Sequence, residues 1–296
     1  MKDKVIITGA RGFIGAKLTE RLAENNDVES FDWVDGQDLR NMEQIREAVK
    51  SKDIVFHLAA IADLNWARTH PIDTMEINVE GTWNVAMACV EAGAKLYYAS
   101  TCCTYGNQET HPSDERTLPN PSEIYAGTKL AGENVISGLH HSFGLQYNHM
   151  RFATIYGEGA RAALATHIFL GQALRGEPIT VHGDGKQTRT LTYVFDLVDA
   201  IVMLYESGKM NEVWNMTTEE SVSALQTAQD IKRITGSGSE IVHIPQRIGQ
   251  TFREELSAEK MLRETGWKAK TRWENGIAEM YRWFVDTGQV ENRYKL

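Results

Sequence analysis

Tyr125 and Lys129 stand four residues apart in Tyr125-Ala126-Gly127-Thr128-Lys129, so a helix would set both side chains on one face. A phenol titrates near about 10 and is a poor base at neutral pH. A neighbouring ammonium, joined by the positive charge of an oxidised nicotinamide, would stabilise the phenolate. Tyr125 would then take a proton from a sugar hydroxyl as hydride leaves, and Lys129 would also hold the nicotinamide ribose. Thr101, in Ala99-Ser100-Thr101-Cys102-Cys103-Thr104-Tyr105-Gly106, is placed to share that proton. A Tyr and a Lys at this spacing also occur on ordinary amphipathic helices, so the pair takes its meaning from the elements around it.

The first of those elements is a phosphate loop. Thr8-Gly9-Ala10-Arg11-Gly12-Phe13-Ile14-Gly15 carries three glycines at three-residue intervals between an apolar run and an amphipathic stretch. Gly9 allows a tight turn, Gly12 the approach of a pyrophosphate, and Gly15 close packing of helix on strand; the helix N-terminus then faces the phosphates. Asp32 follows 17 residues after Gly15, at the end of the next apolar run. A carboxylate there accepts both adenosine ribose hydroxyls and repels a 2′-phosphate, which selects NAD over NADP. Arg11 is read as a solvated loop charge.

The wider pattern positions these residues. Residues 4–8, 28–32, 53–60, 96–100 and 146–153 read as strands, and residues 13–24, 42–50, 79–92 and 125–140 as helices, with Gly93 as a stop. The 42–50 helix turns Met42, Ile45 and Val49 inward. Strand–helix alternation of this kind predicts a Rossmann-type, doubly wound parallel α/β sheet. Beyond residue 156 the pattern is mixed: helices over 162–174, 197–205, 223–235, 257–265 and 274–285, and short strands over 178–181 and 190–194. The expectation is an NAD-binding domain over 1–156, with interleaved later segments at about 190–215, and a smaller substrate-binding domain mainly over 157–296.

Lys and Arg number 31 against 40 Asp and Glu, a net charge of −9 over 296 residues, which disfavours a nucleic-acid partner. The longest apolar stretch, residues 54–62, is interrupted by His57 and is too short to span a bilayer. No secretory signal is visible, and three cysteines (Cys89, Cys102 and Cys103) imply no disulfide framework, so a cytoplasmic setting is expected. No metal site is expected.

The chain resembles the extended short-chain dehydrogenase/reductases, in particular the NAD-dependent nucleotide-sugar epimerase/dehydratase family. The matching segments run nearly end to end: TGARGFIG (8–15), DLRN (38–41), HLAA (57–60), NVEGT (78–82), STCCTYG (100–106), YAGTK (125–129), RFATIYG (151–157), ITVHGDGKQTRTLTYV (179–194) and ETGW (264–267). The resemblance implies that Asp38 and Leu39 contact adenine, that Leu58, Ala59 and Ala60 run beside the cofactor, and that Asn78 and Phe152 lie near it. It implies a nucleoside-diphosphate sugar substrate, with Arg189 and Arg253 on the diphosphate and Val181 and His182 by the nucleobase. Thr154 stands where the family has a substrate-contacting Asn, and Glu158 replaces a usual Pro. A homodimer built through the 79–92 and 125–140 helices is likewise implied.

The resemblance also implies a shared first step, hydride transfer to NAD that leaves a 4-keto sugar. Dehydratases of the family then use an acid and a Glu where Cys102 and Cys103 stand, so 4,6-dehydration is disfavoured. Cys103 instead resembles the cysteine of 3,5-epimerases acting on 4-keto sugars, with His167 as its partner. Protons α to a ketone are acidic enough for such a pair, given a thiol lowered from its usual range. The expected activity is therefore C4 or C3/C5 epimerisation. The alternatives are a dehydratase or 4-dehydrogenase/reductase on the same scaffold, and a non-catalytic NAD-sensing protein.

Overall fold

The computed structural model describes residues 2–246 and 251–288. The chain divides into two units. One comprises Met1–Gly106, Glu115–Phe152 and Ile201–Met216; the other comprises Asn107–Asp114, Ala153–Ala200 and Thr217–Leu296.

Apolar runs buried on both faces make the first unit's strands parallel and central. In chain order its elements are β1 (Lys4–Thr8), α1 (Phe13–Ala23), β2 (Asp27–Phe31), α2 (Met42–Val49), β3 (Ile54–His57), α3 (Leu64–Thr69), α4 (Pro71–Met75), α5 (Gly81–Ala92), β4 (Lys95–Thr101), α6 (Ile124–Phe143) and β5 (Tyr147–Phe152). A five-residue π-helical turn, Glu76–Glu80, joins α4 to α5. With a later strand, Glu212–Met216, these form a six-stranded sheet in the order β2-β1-β3-β4-β5 followed by that strand, and every pairing is parallel.

Side chains alternate across the sheet. Ile6, Val55, Leu96 and Tyr98 join Ile45 and Val49 of α2, Val85 and Cys89 of α5 and Ile136 and Leu139 of α6 in one core layer. Phe56 and Tyr97 stack on the other face, with ring centroids 4.8 Å apart, and each meets Tyr205 edge-on. Helices thus cover both faces, as the alternation of patterns requires.

The second unit begins with β6 (Thr154–Tyr156), α7 (Ala165–Leu174), β7 (Ile179–His182) and β8 (Thr188–Tyr193). Next comes α8 (Val194–Ser207), and then the sixth strand of the first sheet, β9 (Glu212–Met216). After it come β10 (Ser221–Ser223), α9 (Ala224–Thr235), β11 (Ile241–Ile244), β12 (Arg253–Glu254), α10 (Glu259–Thr265) and α11 (Trp273–Asp286). β8 pairs with β10, β12 and β6, and β11 pairs with β7. Among the described residues no helix is long and apolar enough to cross a membrane.

Several expectations shift. The third strand stops at His57 rather than continuing to residue 60, because its partner β1 ends at Thr8: Leu58 N–H makes the last bond to the Thr8 carbonyl, and Ala59 N–H turns to the Thr8 hydroxyl. Met42 is only half-buried at the start of α2. The helix expected from 162 starts at Ala165. Helices α3 and α4 and strand β9 lie outside the sequence expectation: the helices are six and five residues long, too short for a periodic signal. β9 is Glu-Val-Trp-Asn-Met, whose buried Trp214, Asn215 and Met216 are consecutive rather than alternating.

Candidate functional site

The turn between β1 and α1 closes by backbone contacts that admit no side chain. Gly9 has φ +73°, and a Cβ there would lie 2.7 Å from the Ala59 nitrogen. A Cβ on Gly15 would lie 2.0 Å from the Gly9 carbonyl oxygen. Gly12 caps α1 in an extended conformation with no side-chain cap bond. Phe13 and Ile14 open the helix, whose first N–H groups have no partner within it. A bare turn ahead of a helix N-terminus suits a diphosphate.

The segment after β2 is acidic and internally hydrogen-bonded. Asp32, just past β2, accepts the Arg11 N–H at 2.8 Å and the Val34 N–H at 3.2 Å. The Arg11 side chain turns to Asp35, with Nε 3.0 Å from a carboxylate oxygen. The cation beside the loop is thus answered by a second carboxylate, an arrangement hostile to a 2′-phosphate. Asp38 is gripped by the Arg40 guanidinium, which holds its carboxyl below the usual range. Leu39 is buried, and a Cβ on Gly81 would meet it at 2.8 Å; its carbonyl accepts from Asn84 Nδ2.

Between the loop and α6 runs a buried polar chain. Leu58, Ala59 and Ala60 leave β3 half-buried, with Ala59 against Gly9. His57 meets Thr8 Oγ1 through Nδ1 at 2.7 Å and Thr82 Oγ1 through Nε2 at 3.0 Å. Burial first, and then the Lys129 charge, pull its pKa down to about 3, so the ring is neutral. Thr82 donates to the Asn78 carbonyl, Asn78 Nδ2 donates to Thr128 Oγ1, and Thr128 donates to the Tyr125 carbonyl. Asn78 sits on the π-helical turn, a distortion frequent at functional sites.

Tyr125 lies in the first turn of α6, half-buried, and Lys129 one turn on, only 2 % exposed. Lys129 Nζ stands 4.2 Å above the Tyr98 ring. Burial lowers its pKa to about 7, with Glu133 opposing the fall. Thr101 ends β4, buried, and its hydroxyl accepts the Cys103 N–H at 3.2 Å, capping the short turn Cys102–Tyr105. Cys102 is buried and Cys103 half-buried. Phe152 ends β5 beside Thr101, its register partner.

Within the second unit, Thr154 donates to Glu254 Oε1 at 3.3 Å. Arg189 donates to the Thr188 and Thr251 carbonyls and lies 3.8 Å from Glu254. Arg253 is half-exposed and pairs with Glu255 at 2.6 Å. Val181 is fully buried and presents no side-chain surface, whereas His182 is half-buried and bonded to the Pro245 carbonyl. His167 is buried, its ring 4.5 Å from that of Phe284, and burial, which lowers its pKa, outweighs the hydrogen bond it donates to the Ala160 backbone. Glu158, in place of the usual Pro, accepts the Tyr193 hydroxyl at 2.5 Å.

Comparison with known proteins decides the family. The profile of the NAD dependent epimerase/dehydratase family matches residues 5–217. The chain belongs to that family. A UDP-N-acetyl-alpha-D-glucosaminuronate decarboxylase from Bacillus cytotoxicus is 31 % identical over 99 % of this chain and 100 % of its own length. The crystal structure of a UDP-glucose 4-epimerase with UDP-glucose from Thermotoga maritima superposes with a TM-score of 0.92 at 27 % identity, covering 96 % of this chain and 99 % of that one. MoeE5 in complex with UDP-glucuronic acid and NAD superposes at 0.90 with 28 % identity, covering 96 % and 99 %.

For this epimerase/dehydratase family member, sequence reasoning passes over His57, Glu133 and Arg151. Glu133 accepts from Arg151 Nε at 2.9 Å and Nη2 at 2.7 Å, and from Ser100 Oγ at 2.5 Å. A signal exists for His57, a histidine inside an otherwise apolar run, where an unpaired polar group would be costly, whereas Arg151 follows Asn148 and His149 in a strand with no apolar run to interrupt.

Proposed function

We propose that the chain is an NAD-dependent epimerase of a nucleoside-diphosphate sugar, working through a transient 4-keto intermediate. The observation that carries this reading is Lys129, buried one helical turn behind Tyr125 on a helix tied to the phosphate loop. NAD, when bound, accepts the hydride. Tyr125 takes the hydroxyl proton, Thr101 shares it, and the Lys129 ammonium stabilises the phenolate. Gly9, Gly12 and Gly15 with the α1 N-terminus take the diphosphate of the cofactor, and Asp32 takes its ribose. The first unit thus serves the cofactor and the second the nucleotide sugar, with Arg189 and Arg253 for its diphosphate. UDP is the nucleotide named for the relatives above. Return of hydride to the other face of C4 inverts C4; Cys103 and His167 are the acid–base pair for C3/C5 inversion. The reading extends to a homodimer through α5 and α6, and to the cytoplasm, where the three free cysteines stay reduced.

Decarboxylation is the second reading, favoured by one observation. Cys102 and Cys103 stand where dehydration needs carboxyl groups, but a 4-keto uronic acid is a β-keto acid and loses carbon dioxide without them.

Incubation with UDP-glucose, UDP-N-acetylglucosamine and UDP-glucuronate in D₂O, followed by NMR and mass spectrometry, separates these readings. Inversion without deuterium supports C4 epimerisation, and deuterium at C3 or C5 in a product that keeps all its carbons supports the Cys103–His167 pair. Loss of 44 mass units (about one carbon dioxide) supports the second reading. Turnover of none of these sugars by NAD-loaded protein refutes both. Tyr125→Phe is expected to lower kcat by roughly 10²–10⁴-fold with NAD still bound.

A further inference from the structure

Tyr125, Lys129 and Glu133 follow one another at four-residue intervals along α6. The Glu133 side chain is 5 % exposed, as is that of its partner Arg151. Ser100, which donates to the same carboxylate, directly precedes Thr101 at the end of β4. Arg151 directly precedes Phe152 at the end of β5. One carboxylate therefore joins the three segments whose ends carry Thr101, Tyr125 with Lys129, and Phe152. A buried Arg–Glu pair is seldom more stabilising than apolar side chains of the same volume, so stability alone does not account for it.

The surroundings of Lys129 show what the carboxylate does. Tyr98 of β4 lies under its ammonium, His57 of β3 is neutral, and Tyr125 shares its helix. Arg151, His149, Tyr98 and Tyr105 are the other titratable groups around Glu133, and His149 is also held neutral by burial. Glu133 is thus the anion on the Lys129 side of the cluster.

We propose that Glu133 is a positioning residue for the hydride-transfer site: pinned by Arg151 and Ser100, it supplies the buried countercharge one turn behind Lys129 and ties α6 to the ends of β4 and β5. The inference rests on the reading above that Lys129 supports Tyr125.

The test needs no substrate. In protein labelled with ¹⁵N-lysine, the Lys129 Nζ resonance is assigned by its absence in Lys129→Met. Its titration midpoint is expected near 7 in the parent and lower by about one pH unit in Glu133→Gln. If the single variant does not fold, Glu133→Gln with Arg151→Met removes both buried charges and is expected to lower the midpoint by a smaller amount, because loss of the Arg151 cation opposes the fall. Glu133→Asp restores part of the shift. Equal midpoints in parent and folded variant overturn the proposal. With a nucleotide sugar that turns over, kcat of the Gln variant falls at constant KM and its alkaline limb moves to lower pH. An unshifted limb also counts against the proposal. If no sugar turns over, the functional reading fails while the Nζ titration still decides the role of Glu133.

Discussion

Asn78 clamps the backbone of Ile61 from both sides: its Oδ1 accepts the Ile61 N–H at 2.8 Å and its Nδ2 donates to the Ile61 carbonyl at 2.9 Å. The same Nδ2 reaches Thr128 Oγ1 on α6. Asn78→Ala leaves the part-buried Ile61 N–H and carbonyl unpaired and takes one donor from Thr128 Oγ1, which keeps its bond to the Tyr125 carbonyl. Unfolding in urea is expected to show a loss of about 3 kcal/mol, since each unsatisfied buried group costs roughly 1–3 kcal/mol. NAD affinity should fall with it, because the segment after β3 abuts the Gly9 turn. A variant within about 0.5 kcal/mol of the parent would show that water replaces the clamp at no cost.

Gly15→Ala tests the closeness of helix and loop. Its new methyl would stand 2.0 Å from the Gly9 oxygen and 3.0 Å from Ala10 Cα, both backbone. Backbone cannot swing away as a side chain can, so a loss of about 1–3 kcal/mol and of NAD binding is expected. Gly138→Ala is the contrasting case: its Cβ would meet nothing within 4 Å on an exposed stretch of α6. There the change should stabilise by about 0.5–1 kcal/mol through helix propensity. Equal effects at the two positions would contradict the packing argument.

The legible parts of this protein are those whose requirement is local. Gly9 and Gly15 are glycine because backbone is close to each, and Tyr125 and Lys129 share a helix face by their spacing, which gains meaning from the strand–helix pattern around it. Gly93 ends α5 with φ +73°, as its position implies. Glu133 and Arg151 are 18 residues apart and meet only because β5 lies beside β4, with α6 packed above both. No local pattern announces that meeting. In the sequence His57 is only an interruption of an apolar run, yet its partners Thr8 and Thr82 come from β1 and α5. The Leu39 side chain belongs to the core beneath Gly81, a placement that its position in the sequence does not announce.

The two neutral histidines make stability sensitive to mild acid. Burial lowers His57 to about 3 and His149 to about 4, whereas an unfolded histidine titrates near about 6.5. Below that value the unfolded chain binds protons that the native one refuses. The contribution is therefore full above pH ~6.5 and is lost progressively as pH falls toward the folded values. Between pH ~6.5 and ~5.5 each ring should cost on the order of 1 kcal/mol, before most carboxylates begin to titrate. Urea midpoints measured across that interval should fall, and His57→Gln should remove about half of the slope. A slope half as steep would mean that one ring takes up its proton in the folded protein, and a flat profile that both do.

Two carboxylates hold Arg11 beside the glycine loop. Asp32 accepts its backbone N–H, and Asp35 holds its guanidinium at 3.0 Å. With Asp32 as the ribose acceptor proposed above, Asp32→Ser is expected to weaken NAD binding by about tenfold or more, the usual worth of hydrogen bonds to a charged group. Alone it should improve NADP binding little, since Arg11 stays paired with Asp35. Asp32→Ser combined with Asp35→Ser frees the guanidinium to meet a 2′-phosphate, so the NADP-to-NAD affinity ratio should rise further than in either single variant. Calorimetric titration of the four proteins with both nucleotides measures this. A ratio in the double variant no higher than that of Asp32→Ser would place Arg11 outside the reach of the 2′ position and leave repulsion by Asp32 as the whole basis of selection.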